Sequence, residues 1–176
     1  AAAQPAILNS YNILTSAITV TVGTGGDYAS INAALVGLTQ KYPTYASTAA
    51  RATINLLTGY QITEQLIVDG IDLSWVQITS ADSSVNINIS TYEQIYLAIL
   101  GANFETVFAA MNGGKLPIIS IYCNCNFNIG STYKCFMMLI GAGSVGQIEG
   151  ANMGANNTVS KKGLGLAIYN GAEFSG

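Results

Sequence analysis

Hydrophobic residues change their spacing near Arg51. Before it, Ile18–Val22 alternates apolar residues with threonine, the period of a short strand. A glycine-rich turn follows. Ile31, Ala34, Leu35 and Leu38 then recur at i, i+3, i+4 and i+7, which predicts one amphipathic helix over residues 30–41. Ser30 is the expected N-cap, because its hydroxyl can accept from a first-turn amide. Residues 42–50, with Pro43 inside, read as a connection. Residues 1–17 read as a leading segment or linker, in which Ala6–Leu8 and Ile13–Leu14 are the only short strand candidates. After Arg51 the pattern turns to short β runs. These are Ala52–Leu57, Ile62–Val68, Trp75–Thr79 and Val85–Ile89, each closed by Gly, Asp or Ser. Such spacing fits a sandwich, a barrel or a solenoid alike.

Residues 90–111 carry both periods. Tyr92, Ile95, Tyr96 and Ile99 have helical spacing, as do Phe104, Val107, Phe108 and Met111. The run at 95–100 followed by Gly101 favours a strand there, while 104–111 stays open. Leu116–Tyr122, Cys135–Ile140 and Leu164–Tyr169 are apolar runs of strand length. The last two share a pattern, Leu139-Ile140-Gly141-Ala142 against Ile168-Tyr169-Asn170-Gly171-Ala172, repeating after roughly thirty residues. Between them, Val145–Glu149 and Asn156–Val159 are the expected other sides of one repeat.

The stretch Thr21-Val22-Gly23-Thr24-Gly25-Gly26-Asp27-Tyr28-Ala29-Ser30-Ile31-Asn32-Ala33-Ala34-Leu35 resembles the opening of pectate-lyase-like right-handed parallel β-helix proteins, in particular bacteriophage tailspikes and tail fibres. The resemblance covers residues 21–38 closely and the later strand-and-turn texture loosely. It implies a mainly β fold, a right-handed parallel β-helix (solenoid) capped by one short N-terminal amphipathic helix. On this reading residues 18–176 form the cap and the first coils, cut short at the C-terminus. The cap residues are Asp27, Ser30, Ile31, Leu35 and Leu38, with Asp27 a turn residue before the helix. A phosphate-loop reading of the same glycines fails, because no Lys-Ser/Thr follows them.

Composition narrows the chemistry. Among 176 residues 50% are hydrophobic and 9% charged, against about 25% charged in ordinary soluble domains. No apolar run approaches the ~20 residues of a membrane span, so no membrane insertion is expected. The uncharged surface is instead expected to be rich in Asn, Ser, Thr and Gly. Net charge is −3, and six scattered basic residues make no phosphate-tracking stripe, so no nucleic acid is expected. The chain has no histidine, which removes Ser-His-Asp and Cys-His nucleophile chemistry and most zinc sites. No metal or cofactor is expected. Cys123 and Cys125 stand two apart on one run and point the same way, so a disulfide between them is disfavoured. With Cys135 they read as buried free thiols in adjacent coils.

Three functions follow as expectations. The first, implied by the resemblance, is a structural and receptor-recognition part of a phage tailspike or tail fibre. It would be located in the virion, be homotrimeric, contact other virion proteins and bind bacterial surface polysaccharide. The second is a polysaccharide-degrading hydrolase or lyase of the same fold. It needs paired carboxylates, for which Asp69, Asp82 and Glu149 are the candidates. Asp72 shares the turn context. Arg51 is the sole arginine and has no carboxylate cluster nearby in sequence, and Lys161-Lys162 reads as a solvated turn, so no lyase motif is present. The third is a microbial surface adhesin, extracellular or at the cell surface. For carbohydrate stacking or a subunit interface, the candidate aromatics are Trp75, Tyr92, Tyr122 and Tyr169.

Overall fold

A computed structural model describes residues 13–43, 51–91, 93, 95–97, 102–125, 134–141, 143–148, 152–154, 166–168 and 173–175. Over these residues the chain is mainly β, with one helix and parallel sheets. The short strands β1 (Ile13–Leu14) and β3 (Tyr42–Pro43) pair in parallel. The remaining strands fall into three sheets. The first contains β2 (Ile18–Val22), β4 (Ala52–Leu56), β7 (Val76–Ser80), β11 (Lys115–Ser120), β14 (Val145–Ile148) and β17 (Glu173–Ser175). The second contains β5 (Gln61–Ile62), β8 (Val85–Ile87), β12 (Tyr122–Cys125) and β15 (Asn152–Gly154). The third contains β6 (Leu66–Asp69), β10 (Ala102–Met111), β13 (Lys134–Ile140) and β16 (Leu166–Ile168), with β9 (Ile95–Leu97) antiparallel to the start of β10.

Neighbours in each sheet follow sequence order without reversal, and apart from β9 every pairing is parallel. From β4 onward the chain visits the sheets in a fixed order, first, second, third, then first again. Register explains the core. Val20 pairs with Ile54, Ile54 with Ile78, and Ile78 with Ile119. Ile54, Ile78 and Ile119 are all fully buried. Their neighbours Thr53, Asn55 and Gln77 face outward and are half-exposed, which is the two-residue period of a strand covered on one face.

Local physical reasons account for the elements that the sequence pattern misread or left open. The run 62–68 is two strands in different sheets. Ile62, Leu66 and Val68 are all buried, and in one straight strand Glu64 would share their inward face. A corner at Thr63–Gln65 turns the Glu64 carboxylate out. Residues 104–111 are strand rather than helix. Residues 105–110 are buried without a break, so β10 is covered on both faces and shows no alternation to read. Pro117 lies inside β11, a strand with neighbours on both sides, and the ladder to β14 shifts register between Lys115 and Ile118. That irregularity accommodates a residue with no N–H to donate. The repeated runs pair one residue out of the register read from sequence, Ile140 facing Ile168 and Leu139 facing Ala167, while Tyr169 lies outside the described residues. The strand expected at 156–159 and the loop at Lys161-Lys162 lie outside the described residues.

The helix α1 spans Ile31–Thr39, slightly shorter than its apolar pattern suggests. Ser30 is its N-cap, with Oγ accepting from Ala33 N at 3.1 Å. Ile31, Ala34, Leu35 and Leu38 are buried against β2 and β4. The glycine turn before it is closed by a reciprocal clip. Asp27 Oδ2 accepts from Thr21 N and Thr21 Oγ1, both at 2.8 Å, and Asp27 N donates to Thr21 Oγ1 at 3.0 Å. Asp27 thus reaches back across the turn instead of forward to the helix. The phenol ring of Tyr28 lies on α1 at Gly37, where a Cβ would stand 2.5 Å from the ring oxygen.

Candidate functional site

The most distinctive surface feature lies between α1 and β6. β6 is the edge strand of the third sheet, and α1 lies alongside it. They leave an open cleft of about 530 Å³, whose lining includes Leu35, Val36, Thr39, Leu66, Ile67 and Ile71. Among the described residues the exposed large hydrophobics are Val36 (63%), Ile67 (38%) and Ile71 (47%), and all three line this cleft. Single exposed aliphatics are ordinary, whereas three gathered in one concavity make it the candidate site.

At the end of the cleft where β6 begins stand Glu64 and Gln65, the corner residues that replaced the expected single strand. Glu64 Oε1 accepts from Asn32 N at 3.2 Å, placing a carboxylate at the positive end of α1. Asn32 Nδ2 donates to Gln65 O at 3.1 Å. With Ser30 on Ala33 N, first-turn amides of the helix are already taken by the chain itself. An anion site at the glycine turn is therefore disfavoured on geometry as well as on sequence. Tyr60 packs beside them, its phenol pushed up to about 12 by burial and then by the neighbouring Glu64 carboxylate.

Gln65 holds three elements together. Its Oε1 accepts from Glu93 N, and its Nε2 donates to Glu93 O (3.1 Å) and to Thr106 O in β10 (2.8 Å). Nothing in the residue pattern singles out Gln65, Ile67 or Ile71. Val36 left one signal, an apolar residue on the otherwise outward face of α1.

Of the carboxylates nominated from sequence, the two among the described residues, Asp69 and Asp82, stand at different turns. Asp69 ends β6, and its Oδ1 accepts from Asn112 Nδ2 at 2.8 Å across the turn that follows β10. Asp82 lies in the turn after β7. It accepts from Thr58 Oγ1 at 2.6 Å, from Ser84 N at 2.8 Å and from Ser84 Oγ. Donation from Ser84, then from Thr58, holds its carboxyl below the usual carboxylate range, so it stays ionised and is unsuited to general-acid work. Asp72 bonds Ser74 and forms an exposed ion pair with Lys115 at 2.7 Å. Burial pushes its carboxyl up, but bonds from Lys115 and Ser74 outweigh that and leave it low. These side chains tie neighbouring turns together. Glu149 lies outside the described residues.

Trp75 is half-buried against the core, and its Nε1 donates to Asp72 O at 3.0 Å, so it serves the turn before β7. Tyr122 is in β12, and its side chain lies outside the description, as do Tyr92 and Tyr169 entirely. Cys123 and Cys125 stand on β12 and Cys135 on β13, in different sheets. Among the described residues no three His, Cys, Asp or Glu side chains gather as a metal site, and no helix is long and apolar enough to cross a membrane. No protein-family model, curated protein or solved structure matches the chain.

Proposed function

We propose that the three sheets are the faces of one right-handed parallel β-helix whose first turn is closed by α1. We propose further that the chain is a structural and recognition part of a phage tailspike or tail fibre, trimeric and directed at bacterial surface polysaccharide. The observation that carries this reading is the fixed order in which the chain visits the three sheets, with α1 packed on the first strands. Parallel strands of one sheet joined by crossovers are right-handed in nearly all proteins. A stack of such turns leaves an apolar end that a helix with one buried face can cover.

The recognition half rests on the outward positions. Thr53, Asn55, Gln77, Thr79 and Asn86 carry hydroxyl and amide groups along the faces, and Thr79 Oγ1 lies 3.3 Å from Asn55 Oδ1. Such neutral donors and acceptors suit sugar hydroxyls better than charged ligands. The scattered, hydrogen-bonded carboxylates favour binding over cleavage.

Affinity electrophoresis of the chain through gels containing purified capsular or O-antigen polysaccharides tests the proposal. Retardation by at least one polysaccharide, with no new reducing or unsaturated ends, is expected. Free migration through the whole panel, or release of such ends, would count against it. Light scattering reads the trimer directly.

A further inference from the structure

The cleft beside β6 has a second property besides its exposed aliphatics. Gly70 N donates to Met111 O of β10 at 3.1 Å, which sets the parity of β6. Its even-numbered backbone groups face β10, and those of residues 65, 67 and 69 face away. Gln65 O, on that outer edge, is taken by Asn32 Nδ2. One step along, the N–H and C=O of Ile67 face the cleft and have no partner among the described residues. Among the described residues an open strand edge and an apolar groove coincide, the combination used for strand addition.

Charge says which way round an occupant lies. No lysine or arginine is among the lining residues, whereas Glu64 and Glu93 both stand at the end where β6 begins. Glu64 is engaged with Asn32, and Glu93 is exposed. An incoming strand that continues the parallel pairing of this sheet has its N-terminal end beside Glu93.

We propose that this cleft is a strand-addition site for another polypeptide. Its occupant is an extended segment of about four to six residues, aliphatic or β-branched at alternate positions, running parallel to β6 with a lysine or arginine at its N-terminal end. Main-chain bonds to Ile67 set its register, Val36, Ile67 and Ile71 cover its apolar side chains, and Glu93 receives the cation. This site is independent of polysaccharide binding on the sheet faces.

The test is a fluorescence-anisotropy titration of the full chain with a labelled peptide of sequence Lys-Val-Thr-Val-Thr-Val. Saturable micromolar binding is expected, weakened about tenfold or more by Ile67→Asp and by N-methylation of the central valine. Replacing the peptide's lysine by glutamate should weaken it severalfold. Ile67 is already part-exposed, and far-ultraviolet circular dichroism checks that Ile67→Asp stays folded. Absence of saturable binding up to about 1 mM, or an N-methylated peptide binding equally well, would overturn the proposal. So would sedimentation showing that the cleft closes on a second copy of the chain, with dissociation in Ile67→Asp.

Discussion

At the residue scale, the side-chain amide of Gln65 stands where a strand is missing. β10 is paired by β9 at Ala102–Phe104 and by β6 at Phe108–Met111, and Thr106 falls between. Gln65 fills that gap with a donor for Thr106 O and an acceptor for Glu93 N, as a peptide group would. Gln65→Leu keeps the bulk and strands both partners, so chemical denaturation should show a loss of about 1–3 kcal/mol. Gln65→Glu keeps the acceptor alone and should fall between the two. The carboxylates of Asp27 and Asp82 are both held low, Asp27 by the Thr21 amide and hydroxyl and Asp82 by Ser84 and Thr58. A group whose folded value is depressed stabilises the fold fully above its unfolded value near 3.8 and loses that contribution as pH falls through the folded value. On the acid side the melting temperature should therefore begin to decline near pH 4, and Asp82→Asn should flatten part of that decline. Tyr60 works in the opposite sense. Its folded value near 12 stabilises the fold below 10, and the contribution disappears as pH rises between the two. A phenolate titration by ultraviolet absorbance should show a late-titrating component that is lost in Tyr60→Phe.

At the element scale, α1 was legible because its apolar face repeats at helical spacing and Ser30 stands where a cap must. The corner at 63–65 was not, since its apolar residues keep strand parity on both sides of the bend and only the cost of burying Glu64 breaks it. β10 was opaque for a different reason: an unbroken buried run carries no period. The Gln65 bridge left no trace, because a glutamine in a polar turn looks the same whether or not it spans a gap. The α1 assignment predicts that Leu35→Asp or Leu38→Asp, by placing a carboxylate among Ile31, Ala34 and the first strands, costs about 3–5 kcal/mol or more. An equally heat-stable, soluble variant would mean that α1 does not cover the core. The turn after β10 gives a sharper contrast. A Cβ at Gly114 would stand 2.5 Å from Val68 O and 2.9 Å from Met111 O, both backbone atoms. Gly59 has φ of 74° but open space around it. Thermal melts should show Gly59→Ala losing about 1 kcal/mol and Gly114→Ala clearly more, because backbone cannot yield as a side-chain tip can.

At the scale of the whole molecule, from β4 onward the chain visits the three sheets in a fixed order and, apart from β9, sets each strand one strand spacing beyond its parallel neighbour; on the proposed β-helix reading each round is one coil. The ladder Thr19–Thr53–Gln77–Ile118–Gln147–Ser175 joins β2 to β17 through five such steps. At roughly 4.8 Å per step its ends lie about 24 Å apart, and the spacing is set by backbone hydrogen bonding, not by side-chain packing. The outward positions Thr53, Asn55, Gln77 and Thr79 alternate with buried Ile54 and Ile78 along β4 and β7, whereas residues 105–110 of β10 are buried without a break. The most direct measurement is an electron–electron distance between spin labels at Thr19→Cys and Ser175→Cys, with Cys123, Cys125 and Cys135 replaced by serine. A single narrow distribution near 24 Å, broadened only by the label arms, is the predicted result. A markedly shorter distance, as a sheet closed on itself would give, or a broad distribution without a dominant peak, would contradict the continuous six-strand ladder.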